Sequence, residues 1–135
     1  MENPSYNINE PMAREFLLDA VVDVDIDRFQ ELLEDKRIKD LSPGLYDVIS
    51  AIFNSNDTNM RYEFIRLLLS YDITYDHDIF NILTKAASFK DKNVKYLVLD
   101  SDRLNLSDEN KITIQNLVEQ DNYREFYNYV RSLQQ

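Results

Sequence analysis

The chain has no cysteine, one glycine and one histidine in 135 residues. Without cysteine there are no disulfides, no thiolate metal sites and no cysteine nucleophiles. The missing disulfide framework is compatible with an intracellular life. The single glycine, Gly44, rules out glycine-rich phosphate loops and dinucleotide fingerprints, and with them most tight hairpins. The single histidine, His77, excludes two-histidine zinc patterns. No apolar run approaches the ~18 residues of a membrane-spanning helix. The opening "MENPSYNINEPM" lacks the basic-then-apolar order of a cleaved signal. These absences predict a soluble, intracellular protein, in cytoplasm or nucleus, without membrane contact. Basic clusters are also missing, since the basic residues stand singly or in short groups such as Lys36-Arg37. Direct nucleic-acid binding is therefore not expected.

What is present is acidic and ordinary in its balance. Twenty-five acidic residues against 15 basic ones give a net charge of −10, with 44% apolar and 30% charged residues. That length suits one domain, which buries roughly two thirds of its unfolded surface. The acidity favours basic partners, or mimicry of nucleic acid towards proteins that bind it; its plainer role is to keep the chain soluble.

The apolar residues recur at three- and four-residue steps, the period of a helix that buries one face. Phe16, Leu17, Ala20 and Val21 form one such set, and Ile26, Phe29, Leu32 and Leu33 the next, separated by "DVD". The arrangement returns: "LYDVISAIF" then "MRYEFIRLLLSY", "DIFNILTKAASF" then "VKYLVLDSD", "ITIQNLVEQ" then "YREFYNYVRSL". Polar turns stand between the members of each pair.

The Asp-rich turn has a second reading. Asp23, Asp25 and Asp27 alternate, and Glu34 falls twelfth from Asp23, which is EF-hand spacing. Such a loop needs glycine at its sixth place, where Arg28 stands, and an apolar residue at its eighth, where Gln30 stands. No second loop exists for it to pair with. The turn is read as a helix cap, with a weakly calcium-responsive protein as the alternative.

Aligned on the first helix of each pair, "LLDAV", "VISAI", "LTKAA" and "IQNLV" share one pattern and start 31, 35 and 31 residues apart. A period of about 33 residues with paired short helices belongs to a stacked solenoid. These residues resemble the ankyrin repeat over about residues 13 to 133. "LTKAASFKDKNVKYLVLDSDRLNLSDENK" is the closest copy; its Leu83, Ala86 and Ala87 match the inner-helix leucine and alanines. "FLLDAVVDVDIDRFQELLEDKRIKDLS" is a weaker one. The Thr-Pro-Leu-His tetrapeptide is absent, and Leu18, Ile49, Thr84 and Gln115 stand where the family's histidine would be. The family's turn glycines are missing too, so Asp and Asn are expected at left-handed turn positions and the hairpins are expected to be irregular or shortened.

The fold expected is all-α: a solenoid of about four stacked ankyrin-like helix–turn–helix repeats, at 13–42, 43–77, 78–109 and 110–135, behind a flexible tail at 1–10. Another paired-helix solenoid is the alternative. The helix at 123–133 is expected to cap the stack, with Arg124, Asn128 and Arg131 towards water.

A hydrolase needs a nucleophile held by a base, a metal, or converging carboxylates. His77, between Asp76 and Asp78, is at most a mild pH sensor and more simply a solvated loop residue. No enzyme activity, cofactor or metal is expected. What the resemblance implies is binding of another protein through the groove and loop tips. Short, glycine-poor members resemble those of large DNA viruses and intracellular bacteria, which implies interference with a host regulatory protein inside the host cell. Tyr71 and Tyr75 flank the junction of repeats two and three, and Phe53 and Phe89 lie just past inner helices near the groove side. These four are the candidate partner-binding residues. The rivals are an acidic decoy for a nucleic-acid-binding protein and the calcium-responsive reading; self-association through an uncapped end is a further expectation.

Overall fold

The computed structural model describes residues 8–120 and 122–134. Among them are nine helices and no strand: α1 (Glu10–Val22), α2 (Ile26–Glu34), α3 (Lys36–Leu41), α4 (Tyr46–Asn54), α5 (Thr58–Ser70), α6 (Asp76–Ser88), α7 (Lys92–Asp100), α8 (Asp108–Gln120) and α9 (Tyr123–Leu133). None of the described helices is long and apolar enough to cross a membrane. Of the expected tail, residues 1–7 lie outside the described residues; α1 begins at Glu10, with the Asn9 side chain accepting from the Met12 N–H at 3.0 Å.

The second helix of every pair starts on a short acidic or amide side chain. Asp25, Asp57, Asp91 and Asn122 accept from the N–H groups of Arg28, Met60, Val94 and Glu125, each satisfying a donor that has no partner within its helix. One helix was not foreseen. Asp35 ends α2 and at once caps α3, accepting from the Arg37 N–H at 2.9 Å and from its guanidinium.

The turns are corrected in one respect. In the first and third pairs the left-handed residue is not Asp or Asn but the residue before it, Val24 (φ 53°) and Lys90 (φ 56°). Both turns carry the same hydrogen bonds, from Val24 to Val21 and Asp25 to Ala20, and from Lys90 to Ala87 and Asp91 to Ala86. This is the Schellman arrangement, normally closed by glycine. The aspartate is instead reserved for capping the next helix. A left-handed residue with a Cβ costs about 1–2 kcal/mol, and a β-branched one such as Val24 is the least suited. Gly44 does not occupy a left-handed position at all.

Packing places the helices in two rows. α1 packs on α4 and α4 on α6; on the other side α2 packs on α5 and α5 on α7. The repeated pattern supplies what lies between them: Leu17, Ala20 and Val21 of α1, Val48 and Ile52 of α4, and Leu83, Ala86 and Ala87 of α6 are all buried. From the second helices come Phe29 and Leu33, Ile65 and Leu68, Val94 and Val98. Phe29 meets Phe64 edge-on at 4.9 Å, a contact worth ~0.5–1.5 kcal/mol beyond the area it buries.

The fourth pair departs from the order that its sequence alignment suggests. α9, not α8, lies against α6, and α8 lies against α7. α8 buries only Ile114 and Val118. Its polar neighbours suit the side of α7, where Lys92 and Tyr96 both pair with Glu119. The loop before α8 is pinned by Arg103, whose guanidinium donates to the carbonyls of Leu69, Tyr71 and Thr74 and to the Thr74 hydroxyl. The chain is thereby held beside α7 when α8 begins.

Candidate functional site

Phe53, a candidate contact residue whose place in the sequence suits core and contact alike, is a core residue. It is 1% exposed, and its ring lies 5.5 Å from that of Phe89. Arg61 of α5 is stacked against both rings, its guanidinium carbon 5.2 Å from each centroid. Nη2 donates to the carbonyls of Phe53 (2.9 Å) and Ser55 (3.2 Å), and Nη1 to the Asp91 carboxylate (3.0 Å). Arg61 thus closes the C-terminal end of α4 and ties it to the N-terminal end of α7. Phe89 remains 43% exposed as the outer cover of this cluster.

Sequence reading missed this cluster, although it left a signal. Counted from the capping residue, the fourth position of each second helix is Phe29, Arg61, Lys95 and Phe126, and all four are buried. The middle units carry a cation where the outer ones carry phenylalanine. Each cation finds a ring, Lys95 lying over Phe126 at 5.6 Å.

Tyr71 is half-buried; its hydroxyl donates to Glu34 at 2.8 Å and accepts from Gln30 at 3.2 Å, which joins the α5–α6 connection to α2. Tyr75 is 48% exposed and donates to the Ser42 hydroxyl at 2.6 Å. The four carboxylates of the EF-hand alternative are not gathered: Asp25 caps α2 and Glu34 accepts from Tyr71. No group of three potential metal-ligating side chains occurs among the described residues. His77 is well exposed, stacked on Tyr75 with its Nε2 3.4 Å from Asp78.

The structure brings together a different set. α6 forms the floor of a groove, with α4 as one wall and α9 as the other. Tyr46, His77, Asn81, Thr84, Tyr127 and Arg131 line it, around about 380 Å³. Arg124, Asn128 and Arg131 are exposed, as expected of the polar face of α9, and Arg131 also lines this groove. A hollow of about 560 Å³ adjoins it past His77, towards Tyr75, Phe80 and Leu133. Tyr46 is 63% exposed, with the Lys85 ammonium over its ring at 5.5 Å. The groove exists because α9 lies beside α6; with α8 in that place Tyr127 and Arg131 would be elsewhere. Its lining combines two tyrosine rings with His77, Asn81, Thr84, Arg131 and Gln134.

Perturbed ionisations lie away from this groove. The Asp35 carboxyl is held below its ordinary value chiefly by the hydrogen bond from the Arg37 side chain. On the α7–α8 side, the hydrogen bond between Tyr96 and Glu119 raises the phenol and lowers the carboxyl.

No protein-family model matches the chain, and no curated protein or solved structure matches it closely enough to indicate kinship.

Proposed function

We propose that this chain is a non-catalytic protein-interaction module, built as a degenerate ankyrin-like stack of helix pairs without hairpins. The observation that carries the reading is the open groove along α4, α6 and α9, where exposed Tyr46 stands across α6 from Tyr127 and Arg131. Large amphipathic rings around a cleft give contact area at low entropic cost, the composition of interaction hot spots. The rows of stacked helices support the repeat reading, since each pair has apolar residues that only its neighbours cover.

The test is affinity capture from lysate of the source or its host, at low and high salt, with the native chain and a Tyr46→Ala/Tyr127→Ala variant as baits. A protein retained at high salt by the native chain and lost by the variant supports the module. Partners captured equally by both baits overturn the groove. Capture of only salt-labile nucleic-acid-binding proteins favours the acidic decoy instead, because an interface made of surface charge weakens steeply with screening.

A further inference from the structure

We propose that the hollow of about 560 Å³ between the first turn of α6 and the end of α9 receives a basic side chain, lysine or arginine, from a segment of a partner protein. The inference rests on the interaction-module reading and names the chemistry of the partner.

Charge and rings coincide there. Tyr75, Asp76, His77, Phe80, Leu133 and Gln134 line the hollow, with neither lysine nor arginine among them. Asp76 is exposed and makes no ion pair among the described residues. A second acidic hollow, beside Glu63 and Asp91, differs in that Arg66 and Arg61 already neutralise its carboxylates. The buried Asp78 carboxylate, 3.4 Å from His77 Nε2, adds negative charge beneath the same turn. The positive end of the α6 dipole amounts to roughly half a unit charge, so the two carboxylates in its first turn outweigh it. The hollow also meets the C-terminal end of α9 at Leu133 and Gln134, where the last carbonyls of a helix are partly negative. Arg131 lines the neighbouring groove and not this hollow.

The aromatic part of the lining is held in place before any partner arrives. The Tyr75 hydroxyl donates to Ser42 at 2.6 Å, its backbone N–H donates to Asp78 at 3.1 Å, and the His77 ring is stacked on it at 6.0 Å. A cation is attracted to aromatic rings through their quadrupole and gains a charge-assisted hydrogen bond from a carboxylate beside them. Phe80 and Leu133 suit the methylene stem of a lysine or arginine, whose head then lies near Asp76. His77 and Gln134 line both the hollow and the groove, so residues flanking the cation can continue past them towards Tyr46 and Tyr127. At longer range the net charge of −10 draws a basic segment in and repels a phosphate backbone.

The experiment selects a displayed library of random peptides, about a dozen residues long, on the full chain at pH 8, above the range in which histidine side chains ordinarily take up a proton. Enriched peptides are titrated by fluorescence anisotropy against native protein, Asp76→Asn and Glu31→Gln, with far-UV circular dichroism confirming each fold. Glu31 is exposed on α2 and does not line the hollow, so its loss changes the net charge equally without touching the site. The expected result is enrichment of peptides carrying lysine or arginine. Their affinity should fall about tenfold or more in Asp76→Asn, and likewise when one basic residue of the peptide becomes glutamine, but hold within about twofold in Glu31→Gln. Enrichment of acidic or neutral peptides, no enrichment, or an unchanged affinity in Asp76→Asn overturns the inference. Equal losses in Asp76→Asn and Glu31→Gln overturn it too, because binding then belongs to the acidic surface as a whole. A Tyr127→Ala arm separates the two levels. Peptides that ignore Asp76 but require Tyr127 leave the module reading standing while this inference falls. The module reading itself falls only if, in addition, no captured protein depends on Tyr46 and Tyr127.

Discussion

Replacing Arg61 with methionine keeps much of the apolar stem between the rings of Phe53 and Phe89 and removes the charge. The Asp91 carboxylate, 11% exposed, then loses its ion pair, and the Phe53 and Ser55 carbonyls lose a donor. Breaking a buried pair from one side costs about 3–5 kcal/mol. Asp91 retains its capping bond from the Val94 N–H at 3.1 Å, so the lower end of that range applies, about 3 kcal/mol. Asp91→Asn preserves the cap and leaves Arg61 with its two carbonyls, at a cost of ~1–3 kcal/mol. Because the residues share one network, the double variant should fall short of the summed losses by ~1–3 kcal/mol. Urea titrations followed by circular dichroism measure all four proteins, and a domain with ~5–15 kcal/mol of stability survives the losses. An Arg61→Met cost under ~1 kcal/mol, or single effects that add within ~0.5 kcal/mol, would refute the account of Arg61 as the clip between α4 and α7.

Other substitutions test separate parts of the structure. Val24→Gly relieves a left-handed β-branched residue that is 47% exposed, and should gain about 1 kcal/mol net of chain entropy, raising Tm by ~3–5 °C; a lower Tm would contradict the turn geometry. Arg103→Ala removes one hydrogen bond to the end of α5 and three to the α5–α6 connection and should cost ~2–3 kcal/mol, with faster amide exchange in residues 71–75; unchanged exchange would show the loop is held otherwise. Asp35 has a folded pKa below its ordinary 3.8, so its stabilisation is present above that value and is lost as pH falls through the lower folded one. The urea midpoints of native protein and Asp35→Asn should therefore converge as pH is lowered from about 5 into the acid limb; a gap independent of pH would refute the Asp35–Arg37 linkage.

The helix pairs were legible because burial imposes a period, and the positions that share it, from Leu17 to Val118, are buried or, at Ala51 and Leu117, partly buried against the core. Which neighbour covers a face was not legible. The pattern in α8 and α9 says that Ile114, Val118, Phe126 and Val130 are covered, but it is silent on the exchange that puts α9 beside α6. Asp25 and Asp91 look equally suited to a left-handed turn and to a cap; the following helix's unpaired N–H groups decide for the cap, which moves the left-handed residue one place back. Arg61 reads as surface within "MRYEF" because one partner, Phe53, is on the other helix of its own pair and the other, Asp91, is 30 residues away in the next pair. The groove was missed for a related reason: Tyr46 and Arg131 come to one groove only once α4, α6 and α9 have packed together.

The two guanidinium clips bear on how the chain unfolds. Arg61 reaches Asp91 across 30 residues, and Arg103 reaches Leu69 across 34. Repeat arrays whose helix ends are closed locally by glycine can lose terminal units one at a time, since each unit depends only on its own stability and one interface. Here the ends of α4 and α5 are completed by side chains from other helices and loops, so fraying one unit uncaps another. The expected consequence is a single cooperative unfolding transition rather than stepwise loss of helix pairs.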